Sequence, residues 1–123
     1  MKTGRWVTGT GSVLLFLVGI GHGFRIVDVQ KMIVDGGVKA PLDEILKACW
    51  LVFSGEMVAL ALIAMLASSM ERGARFVLIC AATMILNDAL LFHYVGLSFP
   101  VYVTSVVAGL FLLGGLLQSK QGL

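Results

Sequence analysis

Four long apolar runs, residues 6–24, 45–66, 76–94 and 101–117, leave this chain almost no choice of fold. Each has roughly the 20 residues with which an α-helix crosses about 30 Å of hydrocarbon. None alternates apolar and polar residues with the period of two of a barrel strand, and backbone groups cannot stay unpaired in lipid, so each is expected to be a helix. Composition agrees: of 123 residues, 59% are hydrophobic and 13% charged, about half the charged share of a soluble domain. The expected fold is all-α, an integral membrane four-helix bundle forming a single transmembrane domain over residues 1–123. Such a surface excludes a soluble enzyme, a nucleic-acid binder and a disordered tail. The nine basic side chains are scattered, with no cluster dense enough to read as a phosphate-binding patch.

The joints between the runs are short. Arg72, Gly73 and Arg75 link the second span to the third, and Gly96, Ser98 and Pro100 link the third to the fourth. Links of this length predict antiparallel, up-down neighbours. Pro41 suits the start of the second span, with Asp43 and Glu44 in its first turn, where the helix dipole favours acids. The segment 25–40 is longer. Ile26, Val29, Met32 and Ile33 fall near helical spacing, and Arg25, Asp28 and Lys31 allow pairs three residues apart. It reads either as a short interfacial helix ended by Gly36 and Gly37, or as helix one running on out of the bilayer.

Lys2, Arg5, Arg72, Arg75 and Lys120 flank one end of the spans, and Arg25, Lys31, Lys39 and Lys47 the other. The excess on the first side, with the basic start and the short second loop, predicts both termini in the cytoplasm. The expected location is the cell membrane, the inner membrane if the source is bacterial. Lys2, Arg5, the run 13–20 and Gly21-His22-Gly23 also resemble a secretory signal; the expectation is that the segment is retained as the first span.

Two acids stand where lipid should be. Glu56 lies near the middle of the second span and Asp88 in the outer half of the third, about 16 Å and about 9 Å from the outer edge. An ionisable group at the helix centre costs about 2.5–3.5 kcal/mol on the insertion scale, so each demands an explanation. Both are candidate catalytic residues: two carboxyls in a low dielectric share a proton, which suits proton donation to a lipid-like substrate. Pairing across the second and third spans is expected. Asn87, His22, Arg25, His93 and Trp50 form the candidate ligand-binding set around them. Packing against a neighbouring helix explains the acids equally, and interfacial anchoring explains Trp6, Trp50, Tyr94 and Tyr102 without a ligand.

Helix faces refine the picture. Thr8, Gly11, Ser12, Leu15, Gly19 and His22 make a small and polar stripe expected to face protein. In the second span Cys49, Val52, Phe53, Glu56, Leu60 and Ile63 share a side, with Gly55 and Ala59 beside it as a place for close helix approach. No metal site is expected, since Cys49 and Cys80 have no ligand spacing and are read as free thiols at different depths. No cofactor is expected either, although His22 and His93 at one level leave a bis-histidine haem geometrically open.

Size and four-span plan resemble the small multidrug resistance transporters, dimeric proteins with a membrane-embedded glutamate. That glutamate belongs to their first helix, whereas helix one here holds no acid and Glu56 lies in the second, so no residue carries over. Three functions follow: a buried acidic pocket that binds or acts on an apolar, lipid-like ligand; an oligomeric proton-coupled small-molecule transporter; or a structural or assembly subunit of a larger membrane complex. The partners implied are the lipid bilayer, an apolar small molecule or lipid, and further copies or subunits, with no nucleic acid.

Overall fold

The computed structural model describes residues 2–121. Its elements are α1 (Lys2–Phe24), α2 (Ile26–Asp35), α3 (Leu42–Ser69), α4 (Ala74–Val95) and α5 (Phe99–Gln121), with no strand among the described residues. Four helical segments, with α1 and α2 taken as one run, are long and apolar enough to cross a membrane. Every expected span lies inside its helix, and each helix overruns its span by up to about a turn; α3, for example, covers 42–69 where the apolar run covers 45–66. The overrun has a simple cause. A helix ends where its backbone is capped or turned, not where its side chains stop being apolar.

The segment after α1 is a helix of its own. Arg25, at φ −77° and ψ 8°, separates α2 from α1, and its N–H reaches back three residues to the His22 carbonyl at 3.2 Å. Ile33 is the one buried residue of α2, which lies against both α1 and α3. Gly37 adopts φ +66°, and the Val38 N–H then closes onto the Ile33 carbonyl at 3.0 Å. A left-handed residue just past a helix end is the usual job of glycine, which has no Cβ to obstruct it. The α3–α4 turn depends on glycine for another reason: a Cβ at Gly73 would run into the Ala67 carbonyl.

Inside and outside are composed in the reverse of a water-soluble bundle. Gly11, Ser12, Ser54, Ala61, Ala64, Ala81, Thr104 and Ala108 are buried, while Leu17, Ile79, Leu86, Val106 and Leu113 are exposed. Small residues inside bring backbones close, and large apolar ones outside suit a hydrocarbon solvent. Leu15, Met57, Val77, Met84, Val107 and Phe111 fill the centre. α1 packs on α3 and α5, α4 packs on α5, and α3 meets α4 along a thinner seam. Cross-helix bonds fix the ring: Arg5 with Ser69, His22 with Ser54, Gln118 with Thr8, and Asn87 with Glu56.

The expected stripe of α1 is buried as read, from Thr8 to Gly19. On α3 the side that carries Cys49, Val52, Phe53, Glu56, Leu60 and Ile63 is only partly covered. The buried residues of α3 are Ser54, Met57, Ala61, Ala64, Ala67 and Ser68, while Cys49, Val52 and Ile63 are exposed. Gly55 and Ala59 are exposed too, and a Cβ at Gly55 would meet nothing. The reason lies in α1. Gly19 brings its backbone onto Met57 and Val58, so the small residues of α3 at 54, 61, 64 and 68 turn inward rather than the pair at 55 and 59. The two cysteines are free, Cys49 exposed and Cys80 buried.

Candidate functional site

Both span acids are partly buried, and each has its own partner. Asn87 of α4 donates from Nδ2 to Glu56 Oε1 of α3 at 2.9 Å. Thr104 of α5 donates its hydroxyl to Asp88 Oδ1, and its oxygen also lies 2.8 Å from the Pro100 carbonyl four residues back. The expected Glu56–Asp88 pairing is thus replaced by an acid–amide and an acid–hydroxyl pair. Successive residues of a helix point about 100° apart, so Asn87 looks toward α3 while Asp88 looks toward α5. An uncharged donor on each carboxyl also avoids the repulsion of two acids in a low dielectric.

His22 belongs to a third group. Its ring stacks on the Trp50 indole with centroids 3.8 Å apart and planes 14° from parallel, and Phe53 meets its edge at 5.3 Å. Nδ1 shares a hydrogen bond with the buried Ser54 hydroxyl at 2.6 Å. The Trp50 indole N–H donates to the His22 backbone carbonyl at 2.7 Å, the same carbonyl that accepts from the Arg25 N–H. This cluster therefore occupies the end of α1, where helix carbonyls lose their intrahelical donors, and fastens it to α3. Trp50 is doing more than anchoring at an interface.

Two of the expected ligand-binding residues stand apart. Arg25 forms an exposed pair with Asp28 at 3.0 Å. His93 is exposed, and its ring meets the neighbouring Tyr94 edge-on at 4.8 Å. His22 and His93 stand on α1 and α4, which face each other across the diagonal of the bundle, and they have different ring partners. Among the described residues no three His, Cys, Asp or Glu side chains gather as a metal-binding group. Sequence reasoning missed Ser54, Thr104 and the Gln118 amide, which donates to Thr8 Oγ1 at 2.9 Å and to the Gly4 carbonyl at 3.2 Å. Hydroxyls in apolar helices are easily read as back-bonded to their own turn, and the Thr104 oxygen does lie within reach of the Pro100 carbonyl.

Glu56 is reached from the side. A furrow of about 390 Å³ runs along α3 past Ile45, Ala48, Cys49, Val52 and Phe53 to the carboxyl. A second, of about 240 Å³, lies between Phe53 and the α4 residues Asn87, Leu90, Leu91 and Tyr94. Phe53 is the ridge between them. Glu56 Oε1 is taken by Asn87, and Oε2 carries no hydrogen bond among the described residues. The arrangement offers one acceptor or, when protonated, one donor at the deep end of an apolar approach. Comparison with protein-family models, curated proteins and solved structures finds no match for this chain.

Proposed function

We propose that this chain is a multi-pass membrane protein of antiparallel spans that takes an apolar, lipid-like ligand in the furrow along α3 that ends at Glu56, with Glu56 holding the ligand's polar head. The observation that carries this reading is Glu56 itself: mid-span, partly exposed, hydrogen-bonded through one oxygen only, at the end of an apolar lateral approach. A carboxyl in that position is costly unless something polar meets it, and a ligand entering from the bilayer supplies the missing partner. Asn87 positions the carboxyl. Val52 and Phe53 flank the aliphatic part of the ligand, and Asp88 serves the α4–α5 contact instead.

The transport reading gains no support from α3, which runs unbroken past Glu56, whereas coupled-transport sites are typically built on interrupted helices. The assembly reading does have an observation in its favour. Gly55 and Ala59 lie exposed one turn apart next to Glu56, open to a second helix. The two readings separate in one experiment. The protein is purified in a mild detergent, and its extract is searched by mass spectrometry for co-purifying small molecules. Ligand binding predicts a compound retained by the parent and lost on Glu56→Gln with the fold intact. If the extracts match and cross-linking from Cys49 captures a second polypeptide, Glu56 meets a partner helix and the ligand reading fails. Orientation is read separately: a reporter fused after Leu123 is expected to be active on the cytoplasmic side, and activity on the outer side alone would reverse the topology.

A further inference from the structure

A third groove lies at the other end of the bundle, between α1 and α3. Trp6, Gly9, Val13 and Leu17 of α1 and Met65 of α3 line it, with Lys2 and Arg5 at one end and a volume of about 730 Å³. Its apolar part is formed by one helical face, since 6, 9, 13 and 17 recur at spacings of three and four. A Cβ at Gly9 would meet nothing within 4 Å, so the groove is open to its floor there. From Arg5 to Leu17 the helix rises about 18 Å, close to the hydrocarbon depth of one leaflet, about 15 Å.

The end of this groove is basic. Arg5 Nη2 reaches the Ser69 carbonyl at a long 3.5 Å, which holds the guanidinium over the gap between the helices. Neither Arg5 nor Lys2 is paired with an acidic side chain among the described residues. Arg72, Arg75 and Lys120 flank the same helix ends, with Glu71 the single acid beside them. An apolar channel of one-leaflet length that opens onto two unpaired cations is complementary to one class of molecule.

We propose that this groove binds an anionic phospholipid, with one acyl chain along Gly9, Val13 and Leu17 and the phosphate held by Arg5 and Lys2. Arg5 supplies a planar, multi-donor grip, Lys2 a flexible point charge. Trp6, 73% exposed, lies one residue from Arg5, at the level where the headgroup meets the chain, a depth that suits an indole. The site is independent of Glu56, which sits on the α4 side of α3, about 13 Å along the helix from Met65.

The test is native mass spectrometry of the full chain in detergent, titrated with phosphatidylglycerol or phosphatidylcholine of identical acyl chains. The parent is expected to retain one phosphatidylglycerol about tenfold better than phosphatidylcholine. Lys2→Gln with Arg5→Gln should bring the two lipids to parity. Gly9→Leu, whose side chain enters open space, should displace the bound lipid while helicity and melting stay at parent values. Glu56→Gln should leave the adduct unchanged. Equal retention of the two lipids by the parent would overturn the proposal, as would an adduct that survives Gly9→Leu or one that is lost on Glu56→Gln alone.

Discussion

The α1–α5 contact and the α3–α4 contact are built from opposite kinds of residue. Where α1 meets α5, a Cβ at Gly114 would collide with the Thr8 hydroxyl, and one at Gly11 would stand 3.0 Å from the Phe111 ring. The backbones there are as close as glycine allows, and the Gln118 amide bridges to Thr8 and to the Gly4 carbonyl. Where α3 meets α4 around Phe53, a furrow lined by Phe53, Leu90, Leu91 and Tyr94 runs between the helices, and Asn87 donates across to Glu56 beside it. Lipid tails are as apolar as leucine, so apolar area alone does not draw helices together in a bilayer; close backbone packing and polar links do. The first contact has both and closes. The second has the Asn87–Glu56 bond and a long contact of 4.0 Å from the Cys80 thiol to the Leu60 carbonyl, with bulky neighbours around Phe53, where it stays open to the side.

The contrast can be broken by substitution, and the largest effect is expected at Phe111. Fully buried against Gly11, it leaves a cavity no neighbour can fill, so Phe111→Ala should cost about 3–5 kcal/mol in detergent unfolding. Gly114→Ala comes next: its methyl group must push α1 and α5 apart, at about 1–3 kcal/mol. Parent-like melting of Gly114→Ala would mean that this contact is no tighter than the rest.

Smaller effects sharpen the picture at the α3–α4 seam. A double-mutant cycle on Glu56→Gln and Asn87→Ala should give a coupling of about 0.6 kcal/mol, the average for hydrogen bonds between membrane helices, and no more than about 1.7 kcal/mol. The cycle on Glu56→Gln and Asp88→Asn should be additive to within about 0.5 kcal/mol, because the two acids bond to different helices. Strong coupling in the second cycle would show that the acids act as a pair. The smallest change is expected for Gly55→Ala, on the open face of α3. It should shift stability by less than about 1 kcal/mol, and in the stabilising direction, since alanine is the better helix former. Destabilisation there would point to a helix seated on Gly55.

How much of this was legible beforehand varies by helix. The buried stripe of α1 could be read from residues 8 to 19 because glycine, serine and threonine recur there at helical spacing among larger apolar residues. α3 defeated the same reasoning. It is apolar and rich in alanine all round, so several faces carried small residues, and the choice of Ser54–Ala61–Ala64–Ser68 over Gly55–Ala59 was made by the neighbour. Glu56, Asn87 and Asp88 were conspicuous as polar groups in apolar runs, but Asn87 and Asp88 stand side by side in the chain. Nothing in one strip of sequence tells which of two adjacent residues looks at α3 and which at α5.

The division has a physical basis. Hydropathy and helix punctuation act within one segment: a run too apolar for water and too long for a loop must become a helix, and Gly36–Gly37, Gly73 and the Gly96–Pro100 stretch end or turn it. Those features follow from the sequence by itself, as does the presence of two carboxyls inside long apolar runs. The rotation of each helix about its own axis does not. It is settled by the summed fit of glycine contacts, the Trp50–His22 stack and the Gln118 and Thr104 hydrogen bonds, each joining residues far apart in the chain. That rotation, decided only in the assembled bundle, turned Glu56 toward Asn87 and the side-opening furrow and turned Asp88 toward Thr104.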